Sequence, residues 1–429
     1  MARTKASLGT GARLSDYLSV GLLGRVFPAQ AVHDALNAHG VNTKRVRSLP
    51  ALVTSYYCMA MSLYPDVAYE EVYAIVAQGL PQLGQHGLSK PVVKSAISAA
   101  RARIGFEPLQ TLCKSTCVPL AQSTAQPHAF YAGLRLVAMD GSNFDVPDES
   151  ANAAQFGRPG SRQAASAFPQ AKCAVLVECA THAILAAQLG PYKSSEWALC
   201  QGLLGTLRPD MLCLADRGFS GYGRWQEARA TGAQLLWRCN SNRQLPVRQM
   251  LCDGSFLSEI YPKEVSRRTR EDAIEVRVIE YTLPAAGACS GAWDAQGADA
   301  PTSGSGQSQS QPEQAPSKEP LRYRLITSML DPVKAPAQEL ALLYHERWEV
   351  EAVFDELKTH LVNKRRTLRS KTPTGIKQEF YGWVMAHYAV CWLMHQTASV
   401  HRLRQRVLSF TGHANLLRRT FPQSGGFPP

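Results

Sequence analysis

The sequence predicts an α/β fold: a mixed sheet preceded by an all-α segment and followed by further helices. Two patterns carry that expectation. Up to about residue 125 apolar residues recur at helical spacing, whereas beyond Pro127 short β-rich runs alternate with helices. The second region reads as three strands, helix, strand, helix, strand, the order of a mixed sheet. The length, 429 residues, allows two or three domains with a core each.

In order, "LSDYLSVGLLGRVF" opens a helix on a Ser15 cap, and "AQAVHDALNAHG" is a helix that stops at Gly40. A basic turn follows, "NTKRVRSLP", with Lys44, Arg45 and Arg47. Three more helices lie in "ALVTSYYCMAMSLY", "AYEEVYAIVAQGL" and "KPVVKSAISAARARIG", so 1–125 reads as a module of four or five helices. In the next segment, 126–380, "LRLVAMDGSNFDVPD" holds a short strand, Leu134 to Met139, that ends at Asp140-Gly141. "AKCAVLVECATHAILAAQLG" is two strands about a turn near Ala180-Thr181, and "SSEWALCQGLLGTL" is an amphipathic helix capped by Ser194 or Ser195. "MLCLA" is a strand ending at Asp216, followed by a helix in "GRWQEARATG" and a strand in "AQLLWRC".

From about 240 to 321 the pattern is irregular, with β-rich material in "AIEVRVIEYTL". Within it, 285–319 has almost no apolar bulk, so a disordered loop is expected there. "YRLITSML" resumes as a strand, "PAQELALLYHERWEVEAVFDELKTHL" reads as one long helix, and 381–429 holds further helices and a tail.

A formal charge of +12 and a pI near 9.2 favour a polyanionic partner, nucleic acid first among them. The eleven cysteines form no CxxC pair; Cys113 and Cys117 lie four apart with no histidine at zinc-finger spacing. Cys58, Cys173, Cys213 and Cys391 sit in apolar runs and read as buried small hydrophobes, which suits a reducing compartment. The opening "MARTKASLGTGARLSD" lacks the apolar core of a signal peptide, and "YGWVMAHYAVCWLM" is too short to span a bilayer. A cytoplasmic protein without membrane contact is expected.

The chemistry is expected at three carboxylates. Asp140 and Asp216 each end an apolar strand, where oxygen ligands in a rigid frame suit a hard divalent cation; an Asp before Gly also simply begins a turn. The third lies in "YHERWEVEAVFDELK". At 100° per helical residue, Arg347, Glu351 and Lys358 fall at about −60°, −20° and −40° from Tyr344, one stripe along the helix. Val350, Val353 and Leu357 form the adjacent packing face, while Glu349 and Glu356 point away from both and read as solvated. Glu346 falls among the apolar residues, a misfit. Asp355 lies at about 20°, so geometry leaves it level with Glu351 as a ligand, and an ordinary ion-pair helix fits as well.

Tyr344-x2-Arg347-x3-Glu351-x6-Lys358 resembles the Y-(2)-R-(3)-E-(6)-K signature of the IS4 family of bacterial DDE transposases. The resemblance extends to "MDGSNFDVPD", "ADRGF", "RLITSMLDP" and "LRSKTPTGIKQEFYG", and to the N-terminal runs "LSVGLLGRVFPAQAV" and "RVRSLPALVTSYYCMAMSLYPDVAYEEV". It implies a ribonuclease-H-like catalytic domain with a β-rich insertion, behind a helical domain that binds DNA ends. It implies that Asp140, Asp216 and Glu351 hold two Mg²⁺ or Mn²⁺ ions, and it selects Glu351 over Asp355. It further implies that Arg347 and Lys358 position phosphates and that Tyr344 contacts the DNA backbone beside them. The expected activity is cleavage at insertion-sequence ends and strand transfer into target DNA. The expected partners are double-stranded DNA and a second copy of the chain in a synaptic complex at the nucleoid.

Two other readings compete. One is a defective copy that binds transposon ends without cutting, which the unusual ending "FPQSGGFPP" favours; the other is a metal-dependent nuclease of the same fold.

Overall fold

The structure, a computed structural model, describes residues 20–43, 49–79, 91–160, 168–240, 242–262, 269, 271–283, 321–361 and 367–420. The basic turn at Lys44, Arg45 and Arg47 and the low-complexity run at 285–319 lie outside them. The chain divides into two units: Met1–Ala215 with Gly223–Leu235 and Leu343–Pro429, and Asp216–Tyr222 with Leu236–Leu342.

The first unit begins with α1 (Val20–Val26), α2 (Ala29–Ala38), α3 (Ala51–Leu63), α4 (Tyr69–Gly79), α5 (Lys94–Ile104) and α6 (Glu107–Thr116). That is six described helices against the four or five expected, because "EPLQTLCKST" adds α6, with Pro108 where a missing N–H costs nothing. Every residue of α3 is buried, as an all-round apolar helix requires.

The strands follow as β1 (Phe130–Tyr131), β2 (Leu134–Asp145), α7 (Ser150–Phe156), β3 (Gln170–Glu178), β4 (Ile184–Pro191), α8 (Glu196–Gln201) and β5 (Met211–Ala215). In this unit the order is β4-β3-β2-β5, with β1 paired to β2. β5 runs parallel to β2 and all five of its residues are buried, which explains its unbroken apolar sequence. Its last pair is Ala215 with Met139, whereas β2 continues with β3 as far as Asp145–Gln170. Asp140 therefore does not end its strand, and Asp140-Gly141 begins no turn; both sit inside β2, past the point where β5 stops.

Next come α9 (Tyr222–Arg229), β6 (Gln234–Arg238), β7 (Gln249–Met250), β8 (Phe256–Ile260), β9 (Ile274–Leu283) and β10 (Leu321–Thr327). The second unit is β-rich. Leu236–Arg238 of β6 pair with β10, and the order β10-β9-β8-β7 is antiparallel throughout. Fully buried Arg277 on β9 is matched by Asp253, by the Ser255 hydroxyl at 2.7 Å and by the Ala335 carbonyl at 2.6 Å. A buried guanidinium is tolerable only when paired and hydrogen-bonded in this way.

The expected single helix from Pro336 to Leu361 is four pieces. α10 (Ala337–Tyr344) leads into a 3₁₀ turn at His345–Trp348, then α11 (Glu349–Asp355), then a π turn at Glu356–Leu361. The chain winds tightly and then loosely, and departures of this kind recur at functional positions.

Beyond it lie α12 (Pro373–His401), capped by the Thr372 hydroxyl, and α13 (Phe410–Thr420). α12 carries "YGWVMAHYAVCWLM", buried as expected, and no helix among the described residues is long and apolar enough to cross a membrane. Gly382 of α12 lies against the Cys58 carbonyl of α3, an approach that leaves no room for a side chain. Arg101 of α5 fastens the same helix, donating to Gln378 Oε1 at 3.1 Å and to the Gly375 carbonyl at 3.1 Å. Ten cysteines fall among the described residues; all are free and all but Cys252 are buried.

Candidate active site

Side chains of a strand alternate between its faces, so Asp140, Ser142 and Phe144 of β2 project together. Each meets the Tyr344–Leu361 segment. Arg347 Nη1 donates to Asp140 Oδ2 at 3.1 Å, and its Nη2 donates to Glu351 Oε1 at 3.2 Å. Lys358 Nζ donates to Ser142 Oγ at 2.6 Å and lies 5.1 Å from the centre of the Phe144 ring. One guanidinium, only 5 % exposed, thus holds the carboxylates of a strand and a helix at a fixed spacing. Burial pushes the Lys358 ammonium below the usual lysine range, so it sits as a desolvated cation beside β2.

The expected stripe therefore forms despite the irregular winding, with one member turned to another task. Tyr344, expected against DNA, is 1 % exposed, and its hydroxyl donates to the Ala215 carbonyl at 3.3 Å. It braces the end of β5, one bond before Asp216. Asp216 opens the second unit, ahead of a 3₁₀ turn at Arg217–Phe219. Its Oδ1 is buried without a hydrogen bond among the described residues, and Arg238 Nη1 stands 3.9 Å away. Asp355, level with Glu351 on an ideal helix, is exposed and pairs with His360 at 3.1 Å.

Asp140 is held up to about 7. Burial is the largest cause and neighbouring Glu196 adds to it, while the Gly141 N–H at 2.8 Å and Arg347 pull the other way. Its environment thus supplies less positive charge than an ionised carboxylate wants. Glu196 escaped the sequence reading. A glutamate after Ser195, whose hydroxyl accepts from the Ala198 N–H at 3.1 Å, looks like an ordinary first-turn acid.

Glu349 and Glu356 are not solvated, which corrects a second expectation. Glu356 is 8 % exposed; it accepts from His182 Nδ1 at 2.8 Å and from His387 Nε2 at 2.8 Å. His182 Nε2 lies 2.7 Å from Glu349 Oε2. The face taken as solvent-facing packs instead on the β3–β4 turn and on α12. Burial opposes both charges, yet mutual hydrogen bonding wins: His182 is raised to about 10 and Glu356 lowered to about 2. Glu346, the misfit, is half-buried, and burial raises its carboxyl.

Glu356, His387 and Cys391 also stand close enough together to suggest a metal centre. Their geometry argues otherwise. Cys391 Sγ is in hydrogen-bonding contact with His387, 3.7 and 3.8 Å from its two ring nitrogens, and Glu356 already has two imidazole donors.

The family model described as "Transposase DDE domain" matches residues 131–389, more than half of the chain. The chain belongs to the DDE transposase family. Its N-terminal part, residues 17–114, matches "Insertion element 4 transposase N-terminal". The transposase InsG of insertion sequence element IS4 from Escherichia coli K12 is 27 % identical over 386 residues, 89 % of this chain and 76 % of that one. The putative transposase InsZ of the same strain is 26 % identical over 203 residues, 47 % and 64 % of the two chains. Among solved structures, a piggyBac transposase synaptic complex with hairpin DNA aligns at a TM-score of 0.44 and 10 % identity, covering 94 % of this chain and 79 % of that one.

Family membership makes this transposase an enzyme of DNA transposition, one that binds DNA and cleaves and transfers its strands. The family in general uses divalent metal ions.

Proposed function

We propose that this transposase cuts DNA at the ends of its insertion sequence and joins them to target DNA, with Asp140, Asp216 and Glu351 as its metal ligands. The observation that carries the reading is the Arg347 bridge, which ties Asp140 to Glu351 at 3.1 and 3.2 Å.

The donor set fits a hard cation. It offers carboxylate oxygens only, and one buried Asp216 oxygen accepts no hydrogen bond among the described residues. Two Mg²⁺ or Mn²⁺ ions, when bound, would supply charge stabilisation for the attacking and leaving oxygens of an in-line displacement at phosphorus.

The chain's own residues do the rest. Arg347 keeps the carboxylates at one spacing while taking one oxygen of each; the other Asp140 oxygen accepts the Gly141 N–H at 2.8 Å. Lys358, fixed by Ser142 and by the rings of Phe144 and Phe354, presents a positive charge toward a phosphate next to the scissile bond. Tyr344 fixes the Ala215 carbonyl and with it the start of the Asp216 turn. In cleavage, water adds to phosphorus and the 3′ oxygen leaves, taking up a proton as a 3′-OH. In strand transfer that hydroxyl attacks a target phosphodiester and displaces its 3′ oxygen. Bringing two ends together calls for two subunits, so a homodimer on DNA is part of the proposal.

The test is cleavage of a linear duplex carrying the DNA that flanks the gene, by wild type and by Glu351→Gln, in Mg²⁺, Mn²⁺ and EDTA. Cutting at the element boundary that needs metal and falls at least about a hundredfold in the variant is the expected result. A wild type that shifts the duplex in a gel but never nicks it would point to a copy that only binds.

A further inference from the structure

We infer that Arg418 is a positioning residue for Lys358: its guanidinium fastens the end of the π turn from which Lys358 reaches β2. The inference rests on the reading of Lys358 as a phosphate contact.

It begins with the winding. A π turn rotates less per residue than an α-helix, so the turn at Glu356–Leu361 sets Lys358 at a different angle from the one α winding would give it. Such turns are rare, and contacts from outside are needed to hold one in place. The turn also ends with its last carbonyls unmatched, as helices do.

Arg418 of α13 supplies those contacts. Its Nη2 donates to the Leu361 carbonyl at 2.7 Å and lies 3.4 Å from the His360 carbonyl oxygen. Its Nε donates to the carbonyl of Leu63, the last residue of α3, at 2.7 Å. The Tyr64 hydroxyl in turn donates to the Arg418 carbonyl at 2.6 Å. One half-buried guanidinium thus gathers the C-terminal ends of α3 and of the π turn, where the helix dipoles favour a cation.

Helix α13 presents this group rigidly. Phe410, Ala414 and Leu417 are buried along one face, and Asn415 Oδ1 accepts from Arg418 Nη1 at 2.9 Å. Thr411 Oγ1, about two turns before Arg418, lies 3.0 Å from His360 Nδ1, so α13 meets the π turn at two points. The apolar face suffices to dock the helix. Drawing a cation partly out of water opposes folding, and here the cation goes to the carbonyls of the turn that delivers Lys358 to Ser142 Oγ at 2.6 Å.

The experiment is binding and cleavage of the duplex carrying the DNA that flanks the gene, by the full chain as wild type, Arg418→Lys, Lys358→Ala and the double variant. Affinity is read against salt without metal, cleavage at saturating duplex in Mg²⁺, and the melting temperature for each protein. Lysine keeps the charge of Arg418 but lacks the fork that spans two sets of carbonyls. Loss of one phosphate contact lowers the slope of log affinity against log salt by about 0.9, which is expected in Lys358→Ala and nearly in full in Arg418→Lys. Cleavage by Arg418→Lys should fall about tenfold. The double variant should match Lys358→Ala in slope and rate, because Arg418 acts only through Lys358. A role confined to stability would lower the melting temperature and leave slope and rate per folded molecule at wild type, and that result overturns the inference. So does a double variant worse than Lys358→Ala, which would give Arg418 a task of its own. If Lys358→Ala itself keeps the wild-type slope and rate, Lys358 touches no phosphate, and the reading beneath the inference fails whatever Arg418→Lys does.

Discussion

Two carboxylate clusters grow from the same stretch, His345 to Leu361, and they differ in how their charge is balanced. Glu356 lies deeper, yet it is held at about 2 because His182 and His387 both donate to it. Asp140 is less buried, yet it is held at about 7, with burial and Glu196 against its charge and one shared guanidinium for it. Depth alone does not decide protonation; the donors do. A buried carboxylate with two imidazole donors is internally satisfied and serves the fold. Asp140, joined through Arg347 to the Glu351 carboxylate, is the one proposed to receive a cation.

The contrast can be broken from either side. Asp140→Asn should have the largest effect on activity, at least about a hundredfold in cleavage, with metal-free stability equal to or above that of wild type. A fall in stability comparable to the loss of activity would show Asp140 to be structural. Glu356→Gln should do the reverse. Removing one partner of a buried pair costs about 3 kcal/mol, so chemical denaturation should detect it, while cleavage per folded molecule stays near wild type.

The pH dependence of stability sharpens the same distinction. Glu356 at about 2 contributes stability present above the ordinary 4.5 and lost as pH falls through about 2. His182 at about 10 contributes stability present below 6.5 and lost as pH rises through about 10. The melting temperature should therefore be highest between about 4.5 and 6.5 so far as this pair governs it, and Glu356→Gln should flatten both flanks. The smallest effect belongs to Asp355. Exposed and paired with His360, Asp355→Asn should change stability by less than about 0.5 kcal/mol and leave cleavage intact. Loss of cleavage there would reverse the choice between Asp355 and Glu351.

Much of this was legible in the sequence. The strands around "AKCAVLVECATHAILAAQLG" and "MLCLA", the Ser195 cap and the buried "YGWVMAHYAVCWLM" follow from local pattern, because period and cap chemistry are local properties. The stripe of Arg347, Glu351 and Lys358 was legible too, since modest changes in winding leave i,i+4 neighbours together. Three things were not. Asp140 looked like a strand end because "DGSNFD" lacks β-branched bulk; its strand continues only because β3 pairs with it across nine residues. Glu349 and Glu356 looked solvated because a helical wheel shows one buried face, whereas here the β3–β4 turn and α12 cover another. Glu196 was invisible because its partner is a missing side chain fifty-five positions earlier, at Gly141.

The central claim is that, of the two clusters, only the one around Asp140 takes a divalent ion. Crystals of the full chain grown with Mn²⁺, measured near the manganese absorption edge, test it directly. The account predicts anomalous density among Asp140, Asp216 and Glu351, and none at Glu356, His387 and Cys391. Density at the second cluster, or none at the first under saturating Mn²⁺, would contradict it.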